Sequence, residues 1–311
     1  MSAGGSTRAV LAALGANAGI AVSKFVAFAF SGSASMLAEG VHSIADSGNQ
    51  ILLLIGGKQA KKKPDPEHPF GYGRERFVYA FLVSVVLFSL GGLFALYEGW
   101  HKIVHPRPVD DWYWAAGVLV FAAVLEGSSF RTAVKAAEGL RKGRSWIGFI
   151  RHATTPELPV VLLEDSGALL GLALALFGVL TSVATGDGRW DGVGTVGIGL
   201  LLVTAALVLA VEMKSLLIGE GAGRRDVAAI RQAVVDGGTV LDVIHLRTMY
   251  LGPEELLVTV KVAVPDDDSA GQVAKAIDAA EVRIRAAVPE AKVIYIEPDV
   301  RRPGPLPEIT G

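Results

Sequence analysis

His42 and Asp46 stand four residues apart in a stretch that otherwise reads as an apolar helix, and Glu164 and Asp165 stand side by side in another. Residues four apart share one helix face, about 6 Å apart along the axis. An imidazole and a carboxylate stacked in this way form half of a metal-binding site. A charged group near a bilayer centre costs about 2.5–3.5 kcal/mol on insertion scales, so several such groups persist only if they pair, hold an ion or line water.

Plainer roles are open at each position. Polar groups inside a membrane bundle can serve as interhelical hydrogen bonders, and Glu164 and Asp165 would lie at an interface if their span began later. Glu39, three residues before His42, either orients the imidazole from behind or faces outer water. Asn17 and Asn49 read as helix-packing hydrogen bonders, with Asn49 also placed to support a ligand. Glu98 and Glu126 read as solvated groups near span ends, and Lys24 as a side chain that snorkels to the outer surface.

The elements that must position these groups follow from composition and hydropathy. The 311 residues are 51% hydrophobic with a formal net charge of −2, which gives no hint of nucleic-acid binding. There is no cysteine, so disulfides and thiolate metal sites are excluded and a metal must be held by N and O ligands. Six apolar segments, near 9–30, 34–56, 77–100, 112–134, 158–182 and 192–213, reach the roughly 20 residues needed to cross a hydrocarbon core of about 30 Å. The first is too long for the apolar stretch of a signal peptide, and the second follows at once.

Lys and Arg in the connections set the orientation. The loops after spans two and four carry twelve, against three (Lys102, Arg107, Arg189) on the other side, which places both termini in the cytoplasm. If span two starts near Ala34, Asp46 lies about 18 Å deep; if span five ends near Thr181, Asp165 lies about 24 Å deep. The two helices could thus present a shared site near mid-membrane, with Gly40, Gly48, Ser166, Gly167 and Gly171 allowing close approach.

Beyond Met213 the pattern changes. Helical spacing over 226–235, strand alternation over 240–249 and 256–264, a helix over 270–287 and a strand over 291–296 predict an αββαβ, ferredoxin-like α+β domain. The expected organisation is a six-helix transmembrane domain over 1–213, a cytoplasmic α+β domain over 214–298, and a proline-rich disordered tail over 299–311.

The run Ser35-Met36-Leu37-Ala38-Glu39-Gly40-Val41-His42-Ser43-Ile44-Ala45-Asp46 resembles the cation diffusion facilitators, a family of zinc and related metal-ion transporters. Glu67-His68-Pro69-Phe70-Gly71-Tyr72-Gly73-Arg74-Glu75 is similar to that family's loop after span two, and Leu163-Glu164-Asp165 to its zinc transporter nine-like branch. The resemblance implies proton-coupled antiport by homodimers through a tetrahedral site built from spans two and five. His42, Asp46 and Asp165 match three of its four usual ligand positions. Val161 stands where the fourth is commonly a His, which leaves Glu164 or water to complete the set. In the loop Tyr72 replaces a second His and leaves His68 as the remnant of a secondary metal site. Ile244, Lys261 and Tyr295 fall where some members carry cytoplasmic ligand histidines, with Glu297 at an acidic position and His245 one residue off the pattern. The domain is therefore expected to serve dimerisation rather than metal sensing.

These ligands bind a divalent cation only when deprotonated, so protons compete with metal for the same atoms. One imidazole with carboxylates suits Zn²⁺, first by the branch resembled, and also Mn²⁺, Fe²⁺ and Co²⁺. A metal-dependent hydrolase is the rival from another class, but no His-Glu-x-x-His run or nucleophile constellation is present, so no enzyme activity is expected. A non-transporting membrane scaffold or metal-responsive regulator is the other. The compact chain suits a cytoplasmic membrane, with the lipid bilayer, metal ions and protons as partners.

Overall fold

The computed structural model describes residues 3–141, 145–151 and 157–300, with side chains described for 17–138, 141, 145–150 and 159–300. The chain divides into two compact units, one comprising residues up to 62 with 75–214, the other 63–74 with the chain from 215 onward.

The first unit is helical. Its elements are α1 (Ala3–Ser31), α2 (Ala34–Gln59), α3 (Glu75–Val104), α4 (Trp112–Arg141), the short α5 (Trp146–Arg151), α6 (Glu157–Thr185) and α7 (Arg189–Ile218). By length and composition four of them are able to cross a membrane: Glu75–Val104, Trp112–Glu138, Pro159–Thr185 and Arg189–Ile218. Within the described side chains α1 contributes the apolar stretch Asn17–Ser31. α2 is long enough, yet Glu39, His42, Asp46, Asn49 and Gln50 lower its hydropathy. Met36, Leu87, Leu119, Leu172, Ile198 and Leu202 belong to one buried apolar cluster contributed by α2, α3, α4, α6 and α7.

Small residues set the closest helix contacts, as expected where lipid supplies no hydrophobic drive between helices. A Cβ on Gly99 of α3 would stand 2.7 Å from the Val196 backbone nitrogen and 2.8 Å from the Gly192 carbonyl oxygen of α7. Backbone cannot rotate out of the way as a side chain can. Gly99→Ala is therefore expected to destabilise the helical unit by about 3 kcal/mol, near the upper end for overpacking. Thermal unfolding in detergent measures it, and Gly117→Ala, where a Cβ meets nothing within 4 Å, serves as the control.

Of the glycines expected to bring α2 against α6, only Gly171 does so: a Cβ there would meet Glu39 Oε1 at 2.7 Å. Gly40 instead receives the Phe25 ring of α1, Gly167 faces Leu202 of α7, and Gly48 is open.

The sharp entry to α2 follows from Gly32, whose φ of +59° favours glycine. Ser33 then caps the helix, accepting from the Met36 amide. α3 widens into a π-helical turn over Leu87–Leu93, where Gly91 would place a Cβ 3.9 Å from His42 Nδ1. π-turns inside α-helices occur often at functional sites.

The second unit contains α8 (Arg224–Val235), β1 (Asp242–Gly252), β2 (Glu255–Val264), α9 (Ala270–Ala287) and β3 (Ala291–Val300). The sheet order is β1-β2-β3, with β1 and β2 antiparallel and β2 and β3 parallel. Leu256, Val258, Val260 and Val262 of β2 are buried, as are Ile230 and Val234 of α8 and Ala276, Ala280 and Ile284 of α9. The alternation along β2 is what half-buried strands require. Ser269 and Gln272 form a capping box at the start of α9. β3 continues through Asp299 and Val300, so those two residues belong to the sheet rather than to the expected tail; the tail's remainder lies outside the described residues.

Candidate metal-ion site

His42 and Asp46 share one face of α2, with Nδ1 and Oδ1 3.4 Å apart. His42 is 1% exposed, and neither of its ring nitrogens makes a hydrogen bond. Asp46 Oδ1 is likewise buried without one. Bare imidazole and carboxylate atoms in an apolar bundle are costly unless something charged or hydrogen-bonding meets them. A cation or a proton is the kind of partner these atoms could take.

Glu164 and Asp165 point in different directions, as adjacent residues on a helix must. Asn49 Nδ2 of α2 donates to Glu164 Oε1 at 2.6 Å. Ser129 Oγ of α4 donates to Asp165 Oδ2 at 3.1 Å. Asn49 thus supports Glu164, joining α2 to α6 one turn beyond Asp46. Asp46 and Asp165 lie within electrostatic reach of each other. Among the described residues, however, no three His, Asp or Glu side chains converge closely enough to hold a metal ion. Val161, at the position of the missing fourth ligand, packs with Ala133, Ala137, Phe149 and Leu162.

Two expectations are corrected near this centre. Lys24 does not snorkel: it is fully buried, and its Nζ donates to Glu39 Oε2 and to Ser43 Oγ, both at 2.8 Å. Glu39 is therefore engaged by Lys24 and not by His42, and its other oxygen, Oε1, is buried without a hydrogen bond. Glu126 is not a solvated end group either. It sits midway along α4, partly buried, with Asp46, Asp165, His42 and Lys24 near enough for their charges to act on it.

Asp191 carried no signal in the sequence, because the groups at the start of α2 that donate to it lie more than 150 residues away. At the start of α7 it is fully buried and accepts from Ser33 Oγ (2.8 Å), the Ala34 amide (2.7 Å) and Ser35 Oγ (2.7 Å). It thereby caps α2 from another helix, and an acidic group at a helix N-terminus is favourably placed. Lys102 Nζ stands 3.7 Å from Asp191 and donates to the Gly32 carbonyl at 2.9 Å. Lys102 is thus an internal counter-charge rather than one of three outer loop cations.

At the secondary loop position, Asp65 organises the turn that carries His68. Asp65 accepts from the Tyr72 hydroxyl (2.6 Å) and from the His68 (2.7 Å) and Glu67 (3.1 Å) amides. The Tyr72 bond above all holds its carboxyl below the usual range. His68 is half exposed, 3.5 Å from Asp65, with its ring tilted against that of Tyr72.

On the sheet, a bulge at Ile244 shifts the register so that His245 pairs with Lys261. The residue read as one off the pattern is thereby placed opposite it, on an edge strand. Lys261 Nζ lies 2.9 Å from both Glu297 and Asp299, and Asp299 foremost holds its ammonium above the usual range.

The family model for the cation efflux transmembrane domain matches residues 10–218, well over half of the chain, from within α1 to the end of α7. This chain belongs to the cation efflux family. The human proton-coupled zinc antiporter SLC30A9, mitochondrial, is 29% identical over 231 residues, covering 74% of this chain and 41% of that protein. The Xenopus laevis protein of the same name is 33% identical over 198 residues, 63% of this chain and 35% of its relative. Metal tolerance protein C4 of Arabidopsis thaliana is 29% identical over 250 residues, 80% of this chain and 55% of that protein. The matched part of this cation efflux protein thus spans between about a third and just over half of these relatives' length. It is an integral membrane protein of a metal-cation transporting family.

Proposed function

We propose that this protein is a proton-coupled divalent-cation antiporter that carries Zn²⁺ out of the cytoplasm by alternating access. The observation that carries this reading is the charge balance around α2. Among the described residues, Glu39, Asp46, Glu126, Glu164 and Asp165 are five carboxylates around α2, and Lys24 is the one ammonium that acts on them. A low-dielectric bundle cannot hold so much like charge unmatched. One divalent ion neutralises half of the remaining excess, and protons are the natural source of the rest. Metal and protons then occupy the same atoms in turn, which is the coupling. The human relative, named as a proton-coupled zinc antiporter, supports the same assignment.

His42, Asp46 and Asp165 are the proposed ligands, with Glu164 the candidate for the fourth place and Asn49 its support. The reading takes α1 and α2 as the fifth and sixth spans, since a span that lines an ion path is expected to lose hydropathy on its inner face. It takes both termini as cytoplasmic from the Lys and Arg bias, the α+β unit as a ferredoxin-like dimerisation domain, and the host as the cell membrane. Transport rather than hydrolysis is favoured by the match to the cation efflux family model.

The test is flux into proteoliposomes carrying a zinc-sensitive dye under an imposed pH gradient. Zinc uptake is expected to rise when the lumen is acid and to vanish when a protonophore collapses the gradient. Flux that ignores the gradient removes proton coupling and leaves metal transport standing. Absence of flux with every ion, run side by side for Zn²⁺, Mn²⁺, Fe²⁺ and Co²⁺, removes transport. A harder O-rich ligand set makes Mn²⁺ or Fe²⁺ the runner-up.

A further inference from the structure

The buried pair of Lys24 and Glu39 does work that a structural ion pair would not need. Glu39 lies three residues before His42, about 4.5 Å along the axis of α2. Its side chain is fully buried and only half satisfied: Oε2 accepts from Lys24, while Oε1 has no hydrogen bond. A carboxylate retained only to neutralise a lysine would be expected to have both oxygens met. Oε1 instead projects into the gap left by the missing side chain of Gly171 on α6, where a Cβ would stand 2.7 Å away. Together with both nitrogens of His42 and Oδ1 of Asp46, it forms a row of unpartnered buried atoms at positions 39, 42 and 46 of one helix face. The row continues toward α1 at Ser43, whose hydroxyl also receives Lys24 Nζ.

We propose that Glu39 and Ser43 form a second cation station beside the His42–Asp46 centre, and that the Lys24 ammonium is its tethered resident, displaced when a divalent ion passes. The inference rests on the transport reading above and assigns that path a second stop. Hard oxygen donors suit a divalent cation in transit, bound through a carboxylate and a hydroxyl with its remaining positions hydrated. Lys24 has somewhere to go, because Asp46 and Glu126 are both within reach of its charge. The resident cation also limits the chain to one metal ion at a time: while Lys24 holds the station, a second divalent ion would meet its positive charge.

The experiment measures Zn²⁺ stoichiometry by equilibrium dialysis in detergent, and KM and kcat for Zn²⁺ flux in proteoliposomes, on the 311-residue chain and two variants. The unaltered chain is expected to bind one Zn²⁺. Lys24→Met, similar in length and uncharged, is expected to bind two, with KM lowered about tenfold by loss of the competing charge and kcat reduced because the ion is held longer. The neutral pair Lys24→Met/Glu39→Gln is expected to return to one Zn²⁺ and to turn over about tenfold more slowly than the unaltered chain, since the station itself is gone. One Zn²⁺ and an unchanged KM in folded Lys24→Met overturn the proposal. If Lys24→Met does not fold, the neutral pair decides: wild-type turnover there means that the residues form only a structural ion pair. Failure of the unaltered chain to bind or carry Zn²⁺ is a different result and strikes the transport reading instead.

Discussion

Asp46→Asn is expected to lower metal flux by about 100-fold or more while leaving the melting temperature of the purified protein unchanged or slightly raised. Loss of a supporting group behind a metal ligand already costs about 10–100-fold, and the substitution removes the ligand's charge itself. Stability should behave differently because Asp46 contributes little to the fold. Its Oδ1 is buried without a hydrogen bond, and the His42 imidazole stands 3.4 Å away. Replacing a poorly satisfied buried ion by a neutral group of the same shape is often neutral or stabilising. Flux and melting therefore separate, which a structural role cannot produce. A variant that keeps normal flux would remove Asp46 from the site, and one that melts early would make it a structural residue. Asp165→Asn should follow the same pattern more weakly, because the Ser129 hydroxyl already meets one of its oxygens.

Local chemistry is what the sequence makes legible. Residues 270–287 read as a helix and fold as one, because Ser269 and Gln272 announce its start and the apolar spacing runs to its end. β2 reads as a strand because its alternation is unbroken from Leu256 to Val262. The stacking of His42 over Asp46 follows from a spacing of four and nothing more. What the sequence hides is set by distant partners. Lys24 looks like a snorkelling residue until Glu39 and Ser43, 15 and 19 residues later, are folded against it. Glu126 looks solvated until α4 is packed beside the site. A bulge at Ile244 is a one-residue event in β1 that changes which side chain faces Lys261, and no periodicity foretells it. The cost of burying charge flags the position, while the identity of its partner depends on tertiary packing.

Asp191 is the sharpest case, and its removal carries the largest expected loss of stability. Asp191→Ala deletes the acceptor for Ser33 Oγ, the Ala34 amide and Ser35 Oγ at the start of α2. It also leaves Lys102, 5% exposed, without its carboxylate. Breaking one side of a buried ion pair costs about 3–5 kcal/mol, because the stranded charge keeps its desolvation penalty. Loss of a helix cap adds about 1 kcal/mol. For a chain of this size the melting temperature should fall by on the order of 10 °C, measured by thermal unfolding in detergent. Asp191→Asn should recover the cap in part, since the amide oxygen still accepts, but not the counter-charge. Asp191→Ala combined with Lys102→Met should be more stable than Asp191→Ala alone, because no unpaired ammonium then stays buried. If the double variant is no better than the single, the loss comes from the cap and the Lys102 pair is incidental. If Asp191→Ala melts normally, α2 is not held from α7 at all, and the positioning of His42 and Asp46 must come from the packing of α1 and α3 against it.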